Sequence, residues 1–522
     1  MTTDVREKKE FSKWIILAII LVILFTVTLL VNVNKTDNSA EKVTGTINID
    51  NGDENINWGR YSTTNVVLSD SYEITEPGIY HLSGIINDGS ITINVTKDEP
   101  VKLILDDVTI KNSSGPAISC LEGDDLVIEL KGENYLEDGA GYSTDLDEDI
   151  KGAIYSKADL TFEGDGTLNL VGNFEDGIVS KDDLKFKSGV YNIKATDDAI
   201  RGKDSVYIQG GEFNLESDAD AIKSTNETAV GKGFVLIEDG IFTINSGAKG
   251  IKAINSILIY GGEFGINSYD DAIHSNNYVG IVDGDITINS GDDGIHADRE
   301  LIIDGGTVLV EKSYEGLEAQ IVTINGGDIS VTTSDDGINA GGGADSSSQN
   351  RMGANQFDVD ENCVLTINGG DIYINTAGDG VDSNGYLYFN GGKVIIDGPT
   401  NNGNGALDSG GGIVMNGGEV IAVGASGMAE TLGTSSAVYS VSIYFQATQS
   451  AGTEIKITDS NGKTILSHTS GKSFNHIAAG SENLKPTETY IIYIDGEEYE
   501  RFTISSVVTT IGNSYDIMKK RR

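Results

Sequence analysis

Tryptophan, cysteine and proline are scarce in this sequence, with 2, 2 and 5 copies among 522 residues. Two cysteines form no paired zinc pattern, and no Gly-x-Ser-x-Gly, Walker loop or His-Glu-x-x-His occurs, so hydrolytic metal or nucleophile chemistry has no motif to rest on. Positive charge is also short: 36 Lys and Arg face 80 Asp and Glu, a net charge of −44. That balance opposes binding to nucleic acid or other polyanions and makes cations the natural partners. The 66 glycines follow no Gly-X-Y period, and 38% of residues are hydrophobic, so the chain is globular rather than collagenous or disordered.

Uncharged residues run from Trp14 to Val31 behind Arg6, Lys8, Lys9 and Lys13. A run of that length spans a bilayer, and the flanking cations place the N-terminus in the cytoplasm and everything after Lys35 outside. We expect a cytoplasmic basic tail at 1–13, a single-pass anchor at 14–33 and a polar linker at 34–57, with secretion after cleavage of the segment as the alternative.

Beyond the linker the sequence repeats. An acidic motif ending in an aliphatic residue recurs as Glu175-Asp176-Gly177-Ile178, Asp197-Asp198-Ala199-Ile200, Asp220-Ala221-Ile222, Asp270-Asp271-Ala272-Ile273, Asp292-Asp293-Gly294-Ile295 and Asp335-Asp336-Gly337-Ile338. Between Ile178, Ile200 and Ile222, and again from Ile251 through Ile273 and Ile295 to Leu317, the interval is 22 residues. Glycine pairs such as Gly210-Gly211, Gly261-Gly262 and Gly305-Gly306 keep step with the motif and separate short alternating runs, so each period holds three strands. Three strands per 22 residues predict an all-β, right-handed parallel β-helix over 58–434, with a small antiparallel β module over 435–522 covering its C-terminal end. Inward positions are narrow (Ser224, Ala253, Ser275, Ala297, Ala319, Ala340), while Arg201, Lys223, Lys252, His274, His296 and Glu318 are predicted to point outward. Cys120 and Cys363 then fall about nine coils apart, roughly 40 Å, beyond the ~7 Å a disulfide spans, and are expected as buried free thiols. Insertions at 224–233 and 341–356 leave the coil and either wall a groove or have no role.

Stacking turns the motif into a carboxylate ladder. Charges ~4.8 Å apart repel by about 1 kcal/mol in water and several times that in a less polar medium, so something must neutralise them. Calcium, which accepts six to eight oxygens in forgiving geometry, is the cofactor this predicts, at Asp197, Asp198, Asp218, Asp220, Asp270, Asp271, Asp292, Asp293, Asp335 and Asp336. Hydrated aspartates that merely shape turns are the alternative. The outward cations beside that corner either contact an acidic sugar chain or salt-bridge to the carboxylates. His274 and His296 on adjacent coils are a weak candidate for a transition metal. Tyr155, Tyr207, Tyr260 and Tyr269 are candidates to stack on sugar rings.

Four stretches carry a resemblance: Glu76-Pro77-Gly78-Ile79-Tyr80-His81-Leu82-Ser83-Gly84, Lys151-Gly152-Ala153-Ile154-Tyr155-Ser156-Lys157, Asp176-Gly177-Ile178-Val179-Ser180-Lys181-Asp182-Asp183-Leu184 and Asp197-Asp198-Ala199-Ile200-Arg201-Gly202-Lys203-Asp204. Together they are similar to the bacterial secreted family called carbohydrate-binding domain-containing proteins, whose clostridial members are described as binding cellulose and acidic plant polysaccharides. The resemblance spans roughly Tyr72 to Gly433. It implies a calcium-containing, pectate-lyase-like β-helix used for binding, with acidic corners at Asp197, Asp198, Asp218 and Asp220 and basic positions at Arg201, Lys203 and Lys223. Later coils depart from it, since Lys249-Gly250 and Tyr314-Glu315-Gly316 replace acidic pairs.

The leading expectation is a surface-anchored, non-catalytic binder of a polysaccharide, cellulose or an acidic plant or cell-wall glycan, contacted by Arg201, Lys203, Lys223, Lys252, Tyr207 and Tyr260. Two rivals share the scaffold. A calcium-dependent pectate-type lyase would draw its base from Lys223 or Arg201, and a structural adhesin or spacer would bind no glycan.

Overall fold

The computed structural model describes residues 47, 49, 52–143, 149–341 and 359–512. Residues 1–13, the anchor expected at 14–33 and most of the 341–356 insertion lie outside them; among the described residues no helix is long and apolar enough to cross a membrane. Apart from single 3-10 turns at Gly52–Asn55 and Trp58–Arg60, every regular element described is a strand. The strands form a parallel β-helix of about 14 turns.

One coil shows the plan. A three-residue strand, Ile200–Gly202, is followed by Ser205–Ile208 and then by Glu212–Ser217. Each pairs in parallel with its counterpart 22 residues earlier and with the one in the next coil, 22 residues later for the first strand and, past the first insertion, 29 for the other two. Three sheets result, here called the short, middle and long faces. The register stacks like on like: Ile178, Ile200, Ile222, Ile251, Ile273, Ile295 and Leu317 form one continuous ladder. All of these are fully buried, and each such burial contributes about 1.5–3 kcal/mol. The small inward residues from Ser224 to Ala340 are fully buried as well. Coiling starts earlier than the regular motif, with Thr63–Leu68 pairing in parallel onto the strand that begins at Gly78.

Aromatic rings fill the long-face side of the core. Tyr191, Phe213, Phe242 and Phe264 stack with centroids 4.9, 4.9 and 4.5 Å apart. The second glycine of each pair takes a positive φ, such as +81° at Gly306, and a Cβ there would meet the Gly284 carbonyl oxygen at 2.6 Å. Only glycine turns from middle to long face at that spacing.

The C-terminal module continues the long face. Glu419–Gly424 pairs antiparallel with Phe474–Ser481, which pairs antiparallel with Ser440–Gln449. The expected all-antiparallel character fails at one place: Ser440–Gln449 pairs in parallel with Val508–Ile511. A second sheet of four antiparallel strands packs over a separate core that includes Ile443, Ile457, Phe474 and Ile492. Leu432, Val438 and Ala478 join the main core and close its end. Buried Asp397 ties the second sheet down, accepting from the Gly471 amide at 2.9 Å and pairing with His468 at 2.7 Å.

The described part of the expected linker is docked. Asp53, 8% exposed, lies between Lys185 at 2.7 Å and Lys187 at 2.6 Å, and Ile47 packs beside Tyr207 and Phe234 on the outside of the middle face. Its polarity reflects ion pairing to the coil surface. Cys120 and Cys363 are both buried, and neither forms a disulfide.

Candidate functional site

The acidic motif turns the chain from the long face to the short face, and its two carboxylates do different things. The inner one is buried and reaches one coil onward: Asp176 Oδ1 accepts the Asp198 amide at 3.1 Å, Asp198 Oδ1 the Asp220 amide at 3.1 Å, and Asp220 Oδ1 the Lys249 amide at 3.0 Å. Asp271 and Asp336 do the same for Asp293 and Asp379. A charged acceptor on a buried amide is worth about 1.5–3 kcal/mol, so the relay locks the register of successive coils. The outer members differ: Asp218 and Asp292 are exposed, and Asp197, Asp270 and Asp335 are half-buried.

The second oxygen of Asp176, Asp198, Asp220 and Asp271 faces a cation. Arg201 pairs with Asp176. Lys223 bridges Asp198 at 3.1 Å and Asp220 at 2.9 Å. Lys249 and His274 share Asp271. Burial pushes the Asp176 carboxyl up to about 7 and also raises Asp198 against the pull of Lys223. At Asp271 burial acts in the same direction, but His274 and Lys249 prevail and hold it well below the usual range.

His274 and His296 point away from the core as expected, yet are only 2% and 1% exposed. Their rings stack at 4.8 Å, and carboxylates from neighbouring turns close over His296. Alternation along a strand gives direction and says nothing of what lies on top. Beyond this rung, burial and the charges of Glu318 and Asp293 push Glu315 up to about 9, and burial pushes Asp293 to about 8 and Asp379 to about 7.

Of the other candidate contact residues, Lys203 is exposed, while Lys252 and Tyr260 are half-buried. Tyr207 is 6% exposed, its hydroxyl donating to Glu238 at 2.7 Å, and Tyr155 is fully buried, so neither presents an open ring face to a sugar. Tyr269 is 81% exposed.

Two features went unread in the sequence. A second acidic corner, between the short and middle faces, brings carboxylate oxygens of Asp159, Asp182 and Asp183 within 4.8 Å of one another. The 224–233 insertion serves this corner: Lys232 pairs with Asp183 at 2.6 Å and Asn226 donates to Asp204 at 2.6 Å. Its Asp and Lys alternate along the chain and read as ordinary surface charge. Calcium, as an oxygen-seeking ion, fits this all-oxygen triad and also the triads Asp176/Asp197/Asp198 and Asp270/Asp271/Asp292. In each of the three a cation already pairs with one member: Lys232 with Asp183, Arg201 with Asp176 and Lys249 with Asp271.

The other feature lies on the outside of the long face. Asn169, Asn192 and Asn214 stack amide to amide at 2.9 Å and 2.9 Å, and Asn267 donates to Asn245 at 3.3 Å two coils on. The amides line an open groove of about 360 Å³, rimmed by Lys194 and Glu216, with a second depression of about 350 Å³ adjoining at Asn245 and Asn267. An Asn directly after the long-face aromatic in two successive coils was the available signal: Tyr191-Asn192-Ile193 and Phe213-Asn214-Leu215.

The profile of the family described as carbohydrate-binding domain-containing protein matches residues 68–337 and 268–426. A carbohydrate-binding domain-containing protein of Acetivibrio thermocellus is 36% identical over 127 residues, 24% of this chain and 44% of the relative, so the chain spans less than half of that relative's length. A solved structure of the polysaccharide lyase-like protein from C. thermocellum, a gadolinium derivative, aligns over 46% of this chain and 96% of that one at 29% identity, with a TM-score of 0.38.

Proposed function

Because the chain belongs to the family of carbohydrate-binding domain-containing proteins, we propose that it is a non-catalytic polysaccharide-binding protein whose glycan lies along the helix axis in the long-face groove. The stacked amides of Asn169, Asn192 and Asn214 carry this reading. They repeat donors and acceptors at the strand spacing, which suits a polymer of repeating hydroxyls. We further propose that calcium occupies acidic corners and relieves their repulsion, and that the apolar run at 14–33 holds the β-helix on the outer side of a membrane.

The lyase alternative needs a base, and neither Lys223 nor Arg201 is suited to that role. Burial works to lower the Lys223 pKa, but Asp198 and Asp220 prevail and raise it, so the ammonium keeps its proton. Arg201 is protonated at any working pH.

Retention of the full chain on insoluble cellulose and on polygalacturonate, with and without chelator, tests the proposal. Asn192→Ala combined with Asn214→Ala is expected to cut retention at least tenfold with unchanged circular dichroism. No retention of wild type on either glycan refutes binding, and full retention by the double variant refutes the groove.

A further inference from the structure

Cationic side chains accompany the inner aspartates from Asp176 to Asp271 and then give way to histidine. At the next rung two carboxylates converge on a single nitrogen: Asp293 Oδ2 lies 3.0 Å and Glu318 Oε2 2.8 Å from His296 Nδ1. One N–H cannot point at both oxygens. His296, Asp293 and Glu318 are 1%, 6% and 7% exposed, so water has little access to make up the difference. A separate observation concerns the neighbouring coil. Asn339 stacks on Glu318 in the following coil and is 6% exposed. Its Nδ2 donates to Glu315 Oε2 at 3.0 Å, which fixes the amide's orientation and leaves the buried Oδ1 without a hydrogen-bond partner.

We infer that this rung is a binding site for a first-row divalent transition ion of the zinc and cobalt class, held by His296 Nδ1, Asp293 and Glu318. The three donor atoms lie within 4.8 Å of one another. Zinc sits about 2.0–2.2 Å from nitrogen and oxygen ligands, so the two carboxylate oxygens need spread from Nδ1 by about half an ångström. The imidazole in the set selects this class over calcium, which takes oxygen alone. Asp298 completes the arrangement from behind: its Oδ1 is 3.2 Å from His296 Nε2, where a carboxylate accepting the remote N–H leaves Nδ1 free to ligate. The site stands apart from the glycan groove and does not depend on it.

The test uses the full chain, stripped with chelator and exposed to cobalt(II) or zinc, both by direct addition and by refolding in the metal. One equivalent of cobalt is expected, with visible d–d absorption of a mixed nitrogen–oxygen site that survives millimolar calcium. His296→Gln and Glu318→Gln, each checked by circular dichroism, are expected to weaken binding at least tenfold, while Asp328→Asn at an exposed position on the long face leaves it intact. Should one of the two ligand variants fail to fold, the other and the wild-type spectrum decide. Absence of stoichiometric cobalt or zinc by either route, displacement by calcium, or unchanged affinity in a folded ligand variant overturns the site.

Discussion

Asp159 makes the electrostatics of the corners measurable. Its Oδ1 accepts the Asp183 amide at 3.1 Å, and burial, followed by the charge of Asp182, pushes its carboxyl up from 3.8 to about 8. Between those values the folded chain holds a proton that the unfolded chain releases, so stability falls as pH rises through the window; below it both states are protonated, and above it both are ionised. One proton gives a slope of about 1.4 kcal/mol per pH unit. Raising the pH from 5 to 7 therefore costs about 2 kcal/mol, after allowance for solvent at this half-buried corner. Asn at this position keeps the acceptor for the Asp183 amide and removes the ionisation. Urea unfolding midpoints of wild type and Asp159→Asn, in chelator at pH 5, 6 and 7, give the comparison, because the other raised carboxyls are common to both proteins. The gap between them is expected to widen by about 2 kcal/mol in favour of the variant between pH 5 and pH 7. A gap that fails to widen in that direction refutes the reasoning.

Lys223→Met leaves Asp198 and Asp220, 1% and 5% exposed, without their shared ammonium; a loss of about 3–5 kcal/mol at neutral pH is expected by chemical denaturation, smaller in acid because burial raises the Asp198 carboxyl. Phe213→Ala removes a ring stacked at 4.9 Å on both Tyr191 and Phe242, and should cost about 3–5 kcal/mol in the same assay, with strand circular dichroism retained. Burial raises the Cys120 thiol to about 11 and Cys363 is fully buried, so a thiol reagent should find no reactive cysteine in the folded protein and two in urea.

The coil was legible because its period is strict: a ladder such as Ile178, Ile200 and Ile222 follows from spacing alone, as do the glycine turns. The division of labour within each acidic pair was not. Asp197 and Asp198 are adjacent and chemically identical, and only the position of the Asp220 amide in the next coil makes Asp198 the buried one. The same holds for Asp53, whose partner Lys185 lies 132 residues further along. The core aromatics follow the coil period too, but aliphatic ladders and acidic turns dominate it, and Tyr191 above Phe213 becomes visible only once the long face is in register. Features set by contacts between neighbouring turns escape a reading built on alternation along one strand.

The carboxylate-to-amide relay has a consequence for how such a chain tolerates change. Asp220 reaches Lys249 across 29 residues, and Asp336 reaches Asp379 across 43, with the same type of bond that elsewhere spans 22. The bond recognises the next turn whatever length of chain has looped out between. The corner therefore counts coils and is indifferent to residues, much as a stitch fixes two layers of cloth however much thread lies slack between stitches. Extra sequence can enter at either insertion without shifting the frame of any later coil, whereas removal of one inner aspartate loosens the joint between two turns and leaves every other joint as it was.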